Sequence, residues 1–219
     1  MSRQSWMTRR GMVAAGLTLA AAPSGSHAQD STRPSGDVDV APARKPSDEA
    51  DEKQLRMARQ EGDAYHRSLQ YMAGQKADAG GLQRAGDYIV AFAQERAEGM
   101  WMLHGEGKLV WMEAGDENCH IEVVVSDAVD RRFIPGLDIK VTFRSEKGKS
   151  YGPMKVPFVW HPGLYHYGRN LKLPGDGRYT IRIHVAPPKF MRHDKELGRL
   201  YASTVTAEFK DVLIKTGRE

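Results

Sequence analysis

From Asp87 onward the chain breaks into short apolar runs separated by turn residues, and that punctuation restricts the fold more than anything else in the sequence. Tyr88-Ile89-Val90-Ala91-Phe92-Ala93 fits either a helical or a strand period, and its β-branched and aromatic content favours strand. Met100–Leu103 and Leu109–Met112 flank His104-Gly105-Glu106-Gly107 and read as a hairpin. Further strand-like runs cover Cys119–Val125, Leu137–Phe143, Val156–Trp160, Asn170–Leu173, Tyr179–Val185 and Ser203–Val212. Turn signals such as Glu146-Lys147-Gly148-Lys149 and Pro174-Gly175-Asp176-Gly177 lie between them. Many short strands at this spacing predict an all-β sandwich of roughly 130 residues, enough to bury one core.

The sequence ahead of the strands has three textures. Arg9-Arg10, an apolar run to Ala22 and a small-residue ending at Ala28 have the parts of a secretory signal peptide over 1–28. Its paired arginines leave both the twin-arginine and the general export route open. The apolar run falls short of the roughly 20 residues that span a bilayer, so an exported protein, periplasmic in a two-membrane host, is expected. Residues 29–50, rich in Ser, Pro, Asp and Ala, predict a disordered linker. Residues 51–82 predict a helical segment, with Leu55, Ala58, Tyr65, Leu69 and Met72 near helical spacing and Ala79-Gly80-Gly81 as its stop. Residues 83–219 are then the β-sandwich domain.

Charge and cysteine content narrow the partners. Residues 1–28 hold Arg3, Arg9 and Arg10 and no acid, so without them 29 basic residues face 28 acidic ones. With no basic stripe interleaved with aromatics, nucleic acid is not an expected partner. Cys119 is the only cysteine. It reads as a buried small hydrophobe, with a thiol near a metal as the alternative.

Three remote segments supply groups that ligate metals. In Cys119-His120-Ile121-Glu122-Val123, read as a strand, His120 and Glu122 share one face and Cys119, Ile121 and Val123 the other. His161 and His166 sit among Trp160, Pro162, Tyr165 and Tyr167, and His193 follows Pro187-Pro188. His184 fits a supporting or a surface position. The spacing matches neither a zinc finger nor His-Glu-x-x-His, and nucleophile elbows, Walker loops and dinucleotide fingerprints are absent, so no enzyme is expected. Met100, Met102 and Met112, beside Trp101 and Trp111, read as core or interface packing, with a copper relay as the alternative.

From about His120 to Val212 the chain resembles the bacterial periplasmic iron-transport protein family, copper-containing proteins of high-affinity iron uptake. The resemblance is carried by His120-Ile121-Glu122, Phe133-Ile134-Pro135-Gly136-Leu137, His166-Tyr167-Gly168-Arg169-Asn170, Gly177-Arg178-Tyr179-Thr180 with His184-Val185-Ala186-Pro187-Pro188, and Ala207-Glu208-Phe209. It implies an immunoglobulin-like β-sandwich that binds iron and copper and forms a homodimer. It also implies a metal site of Glu122, His166 and His193, with His120 beside them and His161 as a fourth or supporting group. The family's methionine ligand is missing: Val159 stands at its position, with His161 and Met154 nearby. Loss of a thioether weakens Cu(I) preference, whereas imidazole and carboxylate suit Cu(II), iron or zinc. The expected function is an exported metal-binding protein that delivers iron, with or without copper, to an inner-membrane permease. The alternatives are a metal-free adhesion or scaffold module and, less well supported, metal-dependent oxidation of Fe2+. Because imidazole must be neutral to ligate, metal affinity is expected to fall below a pH of about 6.5.

Overall fold

The computed structural model describes residues 41–219. The expected signal peptide and the first part of the expected linker lie outside the described residues. Among the described residues, eleven strands follow one α-helix. The first layer takes β1 (Ala79–Ala85), β2 (Tyr88–Glu95), β5 (Cys119–Asp127), β9 (His166–Leu171) and β8 (Phe158–Val159), in the order β1-β2-β5-β9-β8. A second layer runs β11 (Val205–Ile214), β10 (Gly177–Val185), β6 (Ile139–Ser145), β7 (Ser150–Lys155). Strands β3 (Met100–His104) and β4 (Lys108–Met112) form a separate two-stranded hairpin. This is the expected all-β sandwich.

Strand alternation explains the core. Tyr88, Val90 and Phe92 of β2 and Cys119, Ile121, Val123 and Val125 of β5 face inward. They meet Ile139, Val141 and Phe143 of β6 and Ile181, Ile183 and Val185 of β10, all buried. Cys119 is among them, and burial pushes its thiol up to about 12, so it is an inert core residue.

The other face of the first layer is not open to water. Helix α1 (Glu52–Tyr71) covers it and ends in a wider π-turn at Met72–Lys76. Asp51 caps α1: its carboxylate accepts from the Gln54 amide at 2.8 Å, and the Gln54 side chain accepts from the Asp51 amide at 2.9 Å. Leu69 and Met72 pack on Ala91 and Ala93 of β2, Val124 of β5 and Leu164. Small residues on β2 let the helix come close. Gly62 brings it closer still, since a Cβ there would stand 1.7 Å from the Asp130 carbonyl oxygen.

Two expected boundaries move. Ala79-Gly80-Gly81 does not stop the helix but opens β1, because a Cβ at Gly80 would strike the Ala73 backbone and only glycine lets the strand pass the π-turn. The segment 41–50, expected as linker, is docked. Arg44 is paired with Asp127 and, at 2.8 Å, with Asp130, while Ser47 donates to Asp194. Burial alone would raise the Asp127 pKa. The Tyr201 hydroxyl, the Asp130 amide and Arg44 together overcome it and hold the carboxyl below its usual range. A depressed carboxylate adds stability above its unfolded pKa and loses it as pH falls through the lower folded value. Arg44→Ala is therefore expected to cost about 3 kcal/mol at neutral pH by stranding two buried carboxylates. It should also flatten the acid limb of stability against pH in urea titrations.

Candidate metal site

The site is built on the helix-covered face of the first layer. Strand β5 presents His120 and Glu122 there, because their neighbours Cys119, Ile121 and Val123 are committed to the core. In register, Glu122 lies between Ala93 of β2 and Gly168 of β9, and His120 between Glu95 and Asn170. His166 heads β9 on the same face, two residues from Gly168. Gly168 keeps the space between the imidazoles open. A Cβ at that position would come within 3.1 Å of His120 Nε2 and 3.3 Å of His166 Cδ2.

His120, Glu122 and His166 each offer a ligand atom, all within 4.8 Å of one another, and all three residues are buried. Hydrogen bonds on the far side of each ring decide which nitrogen faces the site. Asn170 Nδ2 donates to the Glu98 carbonyl at 2.7 Å, and Asn170 Oδ1 accepts from the Glu98 amide at 3.3 Å. The Asn170 oxygen therefore lies 3.0 Å from His120 Nδ1 and makes that nitrogen the proton donor. The Leu164 carbonyl, 3.4 Å from His166 Nδ1, does the same for the second ring. Both Nε2 lone pairs are thereby turned to the site. His166 Nε2 lies 3.2 Å from Glu122 Oε1, while His120 Nε2 and Glu122 Oε2 are buried without a hydrogen-bond partner. Orphaned buried polar atoms are costly, and two of them on residues whose ligand atoms lie within 4.8 Å of one another fit an ion.

The site opens into a cavity of about 810 Å3, with Glu95, Glu98, Glu122, His161 and Glu219 among its lining residues. Burial, with Glu95 and Glu98 adding like charge, pushes the Glu122 carboxyl up to about 8. Burial also pushes His166 down to about 4 and lowers His120. At neutral pH the Glu122 carboxyl thus keeps its proton and donates it to the neutral His166. Glu98, raised to about 7 by burial and by Glu219 and Glu95, lies 3.6 Å from His120 Nε2.

Of the residues expected from the sequence, His120, Glu122 and His166 come together. His161 stands at the cavity with its ring centroid 5.8 Å from that of His166, its Nδ1 accepting from the Gly163 amide. His193 does not join the group. Its side chain is 94 % exposed and paired with Glu49 at 2.9 Å. The physical reason is topological: the loop after Pro188 leaves β10 in the second layer, whereas the triad lies on the outer face of the first. His184 is likewise on β10, 3.5 Å from the Thr206 hydroxyl. Val159, on β8, pairs with His166 of β9, and Met154 packs against the core from β7. Glu98 and Asn170 were not singled out as site residues. Asn170 follows His166 at the strand period and so was open to discovery, but nothing local marks Glu98.

A carboxylate and two imidazoles on a β-sandwich form the donor set of a transition-metal-binding protein. The chain belongs to the family described as Fe2+ transport protein, whose model matches residues 68–212. It is 30% identical over 156 residues to a UPF0423 protein of Brucella abortus (strain 2308), covering 64% of this chain and 79% of that one. A UPF0423 protein of Brucella suis biovar 1 matches to the same extent. A copper-bound variant of Campylobacter jejuni P19 superposes with a TM-score of 0.50 at 16% identity, over 60% of this chain and 92% of that one, and shows the same fold. FetP of uropathogenic E. coli strain F11 is 23% identical with a TM-score of 0.48, over 61% of this chain and 94% of that one. The family is one of transport proteins rather than of enzymes.

The apo site carries its own pH signature. A carboxyl raised to about 8 stabilises the fold fully below its unfolded pKa, and that contribution is lost as pH rises through 8. His166, depressed to about 4, acts in the opposite direction, costing stability as pH falls from 6.5 towards 4. Glu122→Gln is expected to remove the alkaline decline and leave the acid one, a difference of a few kcal/mol by about pH 9. Thermal unfolding of metal-free protein across pH is the measurement.

Proposed function

We propose that this protein is an exported carrier that captures a transition-metal ion, iron with or without copper, at His120, Glu122 and His166 and delivers it to an inner-membrane permease. One observation carries the reading: three buried ligand atoms lie within 4.8 Å of one another, two of the residues leaving a polar atom without a hydrogen-bond partner. Membership of an Fe2+ transport family and the copper held by the Campylobacter jejuni P19 variant support the choice of ion. The export signal expected over 1–28 supports a periplasmic location, and no described helix is long and apolar enough to cross a membrane.

The chain's groups divide the work. Glu122 supplies the hard anionic donor, and His120 and His166 supply neutral nitrogen held in one tautomer by Asn170 and the Leu164 carbonyl. Glu98 and His161, on the cavity wall, are the next donors an ion meets on entry. Acidic residues at the cavity concentrate cations, while burial of the triad strips their water. His193, at the surface, joins the ligand set only from a second copy in the homodimer that the family resemblance implies.

The competing proton is on the carboxyl, not the rings. That moves the expected loss of affinity from below about 6.5 to below about 8. Titration calorimetry at pH 7 in buffers of different ionisation enthalpy is expected to show about one proton released per divalent ion bound, and none for Glu122→Gln. Metal analysis of the Glu122→Ala/His166→Ala variant is expected to show loss of the ion. Undiminished binding in that variant would place the cargo elsewhere.

A further inference from the structure

The β3–β4 hairpin belongs to neither layer of the sandwich, and its two faces differ in chemistry. Cross-strand partners share a face, as do residues two apart on a strand. Trp101 is opposite Trp111 and Leu103 opposite Leu109, so one face is apolar; the two indoles meet edge-on at 5.6 Å. Met100 is opposite Met112, Met102 opposite Val110, and His104 opposite Lys108. The second face therefore carries three thioethers and Val110, with an imidazole and the Lys108 ammonium side by side at the tip.

Met100 is half-buried, and core packing does not account for Met102, Met112 or His104. Met102 is 49% and Met112 47% exposed, and His104 is exposed at the tip. Directly opposed side chains have Cβ atoms about 5 Å apart, and Met102 lies one step along the same face. Three rotatable bonds in each methionine are enough to bring the three sulfurs onto one ion. Thioether sulfur is soft and takes no proton near neutral pH, which suits Cu(I) and Ag(I) and discriminates against Fe2+ and Zn2+.

The root of the hairpin ties this face to the cavity. Glu98 immediately precedes Gly99 and Met100, and both its backbone groups are bonded to Asn170, the residue that orients His120. Gly99 lies under the Trp111 ring, where a Cβ would come within 2.3 Å of it, so the first turn of the arm is held close.

We infer that Met100, Met102 and Met112, with His104 at the tip, form a second cation site specific for a soft monovalent ion, Cu(I), on an arm rooted at the wall of the divalent site. This inference stands apart from the proposed iron carriage. It requires different residues and no contribution from Glu122 or His166.

Silver(I), which is redox-inert, is the probe. In full-length protein with 13C-labelled methionine methyls, Ag(I) is expected to shift Met100, Met102 and Met112 and to saturate at about one equivalent, leaving Met57, Met72 and Met154 unmoved. Met100→Leu/Met102→Leu/Met112→Leu, near-isosteric on an exposed arm, is expected to weaken Ag(I) binding at least about tenfold while divalent binding is kept. The Glu122→Ala/His166→Ala variant should show the opposite pattern, which separates failure of this site from failure of the divalent one. Unshifted hairpin methyls, or Ag(I) affinity unchanged in the triple leucine variant, would overturn the inference. The methyl shifts decide it even where the triple variant folds poorly.

Discussion

The contact between Glu122 and His166 organises this molecule. A carboxyl buried 3.2 Å from a neutral imidazole needs a proton or a cation, and the surrounding structure determines which it has. Helix α1 supplies the burial, Ala93 and Gly168 supply the space, and the Asn170 and Leu164 oxygens supply the orientation. Take away the helix and the same strands would carry an ordinary solvated His and Glu. The sandwich is a platform, and the reactive environment comes from what is laid on its outer face.

Much of this was legible in the sequence, for a definable reason. A two-residue period at Cys119–Val123 puts His120 and Glu122 on one face whatever the rest of the chain does, and the structure keeps that assignment. The hairpin at 100–112 was similarly readable, because turn and strand signals are local. His166 stood out as an imidazole among aromatic and proline residues, and the family motif, not spacing, gave it a ligand role. What stayed hidden is non-local. Glu98 reaches the site because β2 and β5 pair with Glu95 opposite His120, and no window of sequence contains that register. Strand β1 was hidden by its own glycines: Gly80 clears the Ala73 backbone and Gly81 clears Phe92 and Phe209, yet in sequence the pair reads as a helix stop. His193 misled for the reverse reason, since proximity to Pro187-Pro188 says nothing about which layer the loop leaves.

The helix and the strap before it also change what counts as the domain. Composition alone assigns 41–50 to a linker, because Ser, Pro and Asp bury little apolar area. Two charged contacts from Arg44 override that composition by reaching carboxylates that the β5 end has already buried. Docking of the strap and docking of α1 are coupled through the same loop. Asp130, which receives Arg44, also lends its carbonyl to the close approach at Gly62. The covering of the triad's face thus shares Asp130 with a salt bridge at the opposite end of β5.

Those two ends of β5 show the same problem solved in different ways. Asp127 is buried with a guanidinium, a phenol and two backbone amides directed at it, so its charge is compensated and its pKa is lowered. Glu122, five residues earlier, is buried with neutral imidazole and like charges around it, so its pKa rises to about 8. Folding stability explains the first arrangement, since a compensated carboxylate anchors the strap. It does not explain the second, which costs stability whenever the proton leaves. One buried carboxylate is compensated while its neighbour is left short of positive charge with two Nε2 lone pairs turned towards it, and that contrast is what the proposed cation site rests on.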